Sequence, residues 1–172
     1  MHAQDVFIFG RLSLDAFFAW VESEPLVRVS PDVYVLEKCP EPMPESFQTW
    51  RSGHVPPLLA LEVVSSNWQK DYEDAPAKYA QLGVAELVIF DPWAVDHPDS
   101  KERCPIQVYR RSADGIFVRA STGNGPCFIE SLRAWSVVAR ASGVPVLTLA
   151  YDEAGRDVVP TQTERVIIER DR

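Results

Sequence analysis

The chain is poor in the residues that staple small folds or build dedicated metal sites. Its three cysteines, Cys39, Cys104 and Cys127, are an odd number without CxxC spacing, which argues against a disulfide framework and a zinc site and leaves structural thiols. There is no HExxH, no glycine-rich phosphate loop and no serine nucleophile elbow, so the chemistries those motifs carry are not indicated. No apolar run approaches the ~20 residues that a membrane span requires. The start, MHAQDVFIFG, has no basic segment leading into a long apolar one, so nothing marks the chain for export and a cytoplasmic location is expected. Positive charge is scarce too, with 17 Lys and Arg against 25 Asp and Glu and a net charge of −8. Nonspecific affinity for DNA comes mainly from Lys and Arg contacts to phosphates. Any nucleic-acid binding should therefore be weak and salt-sensitive, carried by a few residues such as Arg51, Lys70, Lys78, Arg110 and Arg111 on one face.

What the chain does have is apolar content for one core: 172 residues, 46% hydrophobic, with no repeat or low-complexity tract. A single domain over residues 1–172 is expected, with a charged tail at 162–172. Two apolar runs stand out, LVRVSPDVYVL and PPLLALEVVS, each interrupted by one carboxylate, Asp32 and Glu62. A buried ionised carboxylate costs several kcal/mol unless something pairs with it, so such acids call for a partner cation or a shifted pKa. A divalent metal is the simplest partner, and two carboxylates with a backbone carbonyl make a hard oxygen site of the kind Mg²⁺ or Mn²⁺ accepts. The other reading places the two acids at strand ends, facing solvent.

Between these runs, residues 37–57 are proline-rich and read as a long loop. After Glu62, Trp68, Tyr72, Ala75, Tyr79 and Leu82 recur at helical spacing, with Gly83 as the stop. Pro76 is tolerated only in a first turn, which predicts a helix starting near 72–75 with Asp71 or Asp74 as its cap. Tyr79 and Trp68 read as core packing. ELVIFD is short and continuously apolar, a central strand covered on both faces, with Asp91 a turn former at its end. PIQVYRRS and GIFVRAS, joined by SADG, read as a hairpin, and VPVLTLAYDEAGRDVVP as another with EAGR at its tip. The segment FFAWV reads as strand-like.

The order PD…VYVL, LALEVVS, KDY…KYAQLGV, ELVIFDP, VYRR resembles the Uma-two family of bacterial endonuclease-like proteins, a branch of the PD-(D/E)xK restriction-endonuclease-like superfamily. The resemblance is close over roughly residues 26–112 and looser to about residue 161, with GVAELVIFDP its most distinctive phrase. It implies an α/β fold, a restriction-endonuclease-like mixed β-sheet with an αβββαβ core flanked by helices, here with added β-hairpins. It also implies a helix at the start, where this chain is short. By the same resemblance the chain is a Mg²⁺- or Mn²⁺-dependent DNA endonuclease, acting as a homodimer. Asp32 and Glu62 match the metal-binding acids, and the Val63 carbonyl is carried over as a third ligand. The superfamily lysine, two residues beyond the second acid, is Val64 here. The family's usual helical lysine position, four before Tyr79, is Ala75. Lys78 and Lys70 are the nearby substitutes, and the helical phase favours Lys78. The rival expectation, from the missing lysine and the acidic charge, is a nuclease-fold protein that serves as a nucleic-acid or protein interaction module.

Overall fold

A computed structural model describes residues 7–9, 29–39, 41, 42, 49 and 54–170. The strand-like FFAWV, the expected N-terminal helix and Arg51 lie outside the described residues. Six strands form a mixed sheet in sequence order: β1 (Phe7–Phe9), β2 (Val33–Leu36), β3 (Leu59–Val63), β4 (Glu86–Phe90), β5 (Ile106–Arg111) and β6 (Phe117–Gly123). All neighbours are antiparallel except β3 and β4, which run parallel, as a strand pair joined through a helix must. A second antiparallel sheet follows, of β7 (Cys127–Ile129), β8 (Ala134–Ala141) and β9 (Val144–Ala150). The fold is the restriction-endonuclease-like mixed sheet with helices and an added hairpin sheet. Among the described residues no helix is long and apolar enough to cross a membrane.

Alternation along the strands sorts side chains between two cores. On one face Ala60, Val64, Leu87, Ile89 and Tyr109 pack under α1 (Ala75–Gln81) with Ala75, Tyr79 and Val84. On the other, Leu59, Val88, Phe90, Ile106 and Val108 meet Cys127 and Ile129 of the second sheet. β4 is buried at all five positions because both faces are covered, as its unbroken apolar run predicts. Each fully buried aliphatic of this kind contributes roughly 1.5–3 kcal/mol.

The α-helix starts at Ala75, within the expected 72–75, but helical turns that the sequence did not announce precede it. Trp68 and Gln69 are already helical, and Lys70–Asp74 form a π-helical turn in which the Ala75 N–H donates to the Lys70 carbonyl, five residues back. That wider turn lets a helix pass through Pro76, whose ring nitrogen has no hydrogen to donate. Neither expected cap acts as one: Asp74 makes no side-chain capping bond and Asp71 accepts from Ser65 instead. Gly83, at φ 81°, ends α1 in the left-handed region, where a β-carbon would also stand 3.0 Å from Pro56.

The chain reverses at EAGR as expected, with Ala150 bridged to Val158 and the Tyr151 N–H donating to the Asp157 carbonyl, but the longer pairing of β9 is with β8, through a turn at Ser142 and Gly143. The tail is α3 (Gln162–Arg170), a helix with no buried residue. Asp91 is more than a turn former. Fully buried after β4, it caps α2 (Pro92–Asp96) through the Ala94 N–H, accepts from the Tyr72 hydroxyl at 2.8 Å, and takes both Nε and Nη2 of Arg103 at 2.7 and 2.8 Å. Burial, the largest effect, and the Asp91 carboxylate push the Tyr72 phenol far up, so it stays protonated and donating. Glu86, 2% exposed, accepts from the Glu130 and Ser131 amides, the Ser131 hydroxyl and Arg110, and so ties the second sheet to the first. Arg110 therefore points to the face opposite α1 and does not join a basic surface there.

Removing one partner of a buried ion pair leaves the other charge uncompensated. Asp91→Ala should lower stability by about 3–5 kcal/mol, seen as a large drop in the urea midpoint. A change below about 1 kcal/mol would contradict the anchoring role.

Candidate functional site

The register of β2 on β3 builds the site. Val33 lies opposite Leu61 in an antiparallel pair, so one residue back Asp32 faces Glu62 across the two strands. Residues placed so share a face, with β-carbons about 4.5–5.5 Å apart. Asp32 sits just before β2 and not in its middle, half-buried, and its Oδ2 accepts the Val63 N–H at 2.8 Å. Glu62, near the end of β3, turns to the α1 face, where the Tyr79 hydroxyl donates to its Oε1. Tyr79 is 1% exposed. Its ring packs as expected, but its hydroxyl has a second role that a core position with tyrosine in place of phenylalanine signals, since a buried phenol needs a partner.

Glu62, Lys70, Asp71, Ala75, Lys78 and Tyr79 line one cleft with Val29 and Ser30, about 170 Å³ in volume. Burial raises the Glu62 carboxyl to about 7; the Tyr79 bond opposes this, Asp32 and Asp71 add to it, and Lys70 lowers it. Burial, first, and the Glu62 charge and bond push the Tyr79 phenol far up, so it remains a donor. Ser65 holds Asp71 through its amide at 3.2 Å and its hydroxyl.

The two lysines differ. The Lys78 ammonium, though in the lining, pairs with Asp74 at 3.3 Å, one turn back. Lys70, on the π-helical turn, is the cation whose field acts on Glu62. Val64 is buried in the core, where a lysine would find no water.

Two carboxylates without sulfur or imidazole beside them are donors of the kind a hard cation takes. Among the described residues no group of three or more His, Cys, Asp and Glu is arranged to hold a metal. A hard cation held by these two acids would need water or a substrate oxygen to complete its shell.

A mixed sheet carrying two facing carboxylates under a crossover helix defines a protein of the restriction-endonuclease-like class. Residues 13–135 match the model of the Uma2 family, described as "Putative restriction endonuclease", and the chain belongs to that family. The curated proteins contain no match to the chain.

A folded-state value near 7, above the unfolded value of 4.5, means that the fold holds a proton the unfolded chain has released between those pH values. Stability of the metal-free protein therefore falls as pH rises through that window. In chelator, Glu62→Gln should be more stable than wild type by on the order of 1–2 kcal/mol at pH 8, after allowance for partial solvent exposure, and the gap should close toward pH 4.5. Thermal unfolding across pH checks this; a gap independent of pH would contradict it.

Proposed function

We propose that the chain is a metal-dependent endonuclease that hydrolyses DNA phosphodiester bonds where Asp32 faces Glu62, at the edge of the cleft that Glu62 lines. The observation that carries this reading is the pairing of the two acids across β2 and β3, each with one oxygen already fixed by a protein donor, Val63 N–H on Asp32 and Tyr79 on Glu62. Asp32, Glu62 and the Val63 carbonyl would hold Mg²⁺ or Mn²⁺. When bound, the ion polarises a phosphate and makes its water acidic enough to attack at neutral pH.

The remaining work falls to the chain's own residues. Burial, with the neighbouring Asp32 and Asp71 charges, raises the Glu62 carboxyl to about 7 in the metal-free protein, and a bound cation would offset that charge. Lys70 brings a positive charge to the same cleft and is assigned the stabilisation of charge on the transferring phosphate, in place of Lys78, whose ammonium is drawn to Asp74. A two-fold pair of chains would present one cleft to each strand of a duplex.

Nicking of supercoiled plasmid at low salt tests the reading. Asp32→Ala and Glu62→Ala should abolish Mg²⁺- or Mn²⁺-dependent cleavage while the protein stays folded. Lys70→Met should slow cleavage by about 10²-fold or more, and Lys78→Met by less than tenfold. A larger loss in Lys78→Met than in Lys70→Met would return the role to Lys78. If wild type cuts neither DNA nor RNA with either ion, the interaction-module reading replaces this one.

A further inference from the structure

Among the described residues the Tyr79 hydroxyl is the one hydrogen-bond donor to Glu62, and it comes from a buried side chain. Tyr79 is packed among Ala60, Val64, Val84 and Ile89, and its partner atom is a single carboxylate oxygen, Oε1. A cation that recruits Oε1 must draw electron density away from the phenolic proton, or leave a buried hydroxyl without its acceptor, which costs more than an ordinary exchange of partners. Oε2 carries no such penalty, and Glu62 lines the cleft.

We propose that Tyr79 is a positioning residue that restricts Glu62 to one-oxygen coordination, and that this restriction makes the cleft favour a small six-coordinate ion over Ca²⁺. The chemistry of the ions supplies the discrimination. Mg²⁺ demands near-octahedral geometry and is content with single oxygens from one or two carboxylates, its other positions filled by water. Ca²⁺ takes six to eight oxygens and gains from carboxylates that bind through both. On the Asp32 side, Oδ2 accepts the Val63 N–H, which belongs to the strand and is equally fixed.

This inference rests on the reading of the cleft as a cation site, and the test separates the two. Dissociation constants for Mg²⁺, Mn²⁺ and Ca²⁺ alone, without nucleic acid, are measured by calorimetry on wild type and Tyr79→Phe. The variant keeps the ring and removes only the donor. The Ca²⁺ affinity relative to Mg²⁺ should rise about tenfold in Tyr79→Phe, the factor expected from freeing one hydrogen-bonded oxygen. A purely structural role for Tyr79 would weaken all three ions together and leave the ratio unchanged, and that result overturns the proposal while the cation site stands. Wild type binding none of the ions overturns both. Glu62→Asp, one methylene shorter and so withdrawn from the Tyr79 hydroxyl, should shift the ratio the same way, and serves if Tyr79→Phe does not fold.

Discussion

The pairing of Val33 with Leu61 governs everything that follows in this molecule. Because side chains alternate with a period of two, a slip of one residue would send Glu62 to the second-sheet face, away from Tyr79 and Asp32, and bring Leu61 to the helix side. The register is held by what each face buries. Leu59 must enter the core against Ile129 and Cys127, and Ala60 must fit under Tyr79, where a larger side chain would push α1 off the sheet. The acids are thus placed by apolar neighbours that have no part in their chemistry.

The fold treats its buried acids in two ways. Asp91 and Glu86 are given full sets of donors, including an arginine each, and act as joints: one fixes the turn after β4 to the π-helical segment, the other fixes the second sheet to the first. Glu62 receives one phenol and two neighbouring negative charges, and its carboxyl rises to about 7. Incomplete satisfaction of a buried acid is what a binding site requires, since an acid whose oxygens are all engaged has nothing to offer a cation. The contrast within one small sheet separates joints from the site without appeal to position in the chain.

The sequence made the strand framework legible because its patterns are local: a continuous apolar run for β4, a turn between β5 and β6, single acids inside apolar runs for Asp32 and Glu62. No helical wheel decides between the two lysines: one over 70–81 puts Lys78 near the phase of Ala75, but the π-helical turn at Lys70–Asp74 inserts an extra residue, so no regular wheel relates Lys70 to Tyr79. Pro76 lies in the first turn of α1, as its missing N–H requires, and its position carries no sign of the π-helical turn ahead of it. The role of Asp91 was hidden for a different reason: its arginine lies 12 residues on and its tyrosine 19 residues back, and pairings of that kind leave no periodic trace. The turn at EAGR is legible from its composition, whereas the two-residue turn at Ser142 and Gly143, both at positive φ, joins the longer pair β8 and β9 without the Asn-Gly or Asp-Gly signature of such hairpins.

The central claim is that Asp32 and Glu62 together form one cation site. Loss of the free Mn²⁺ paramagnetic resonance signal on titration with protein counts bound ions directly and needs no substrate. The account predicts one Mn²⁺ per chain in wild type and none at the same concentrations in a folded Asp32→Ala, Glu62→Ala double variant. Undiminished binding in that variant would place the ion elsewhere and contradict the account.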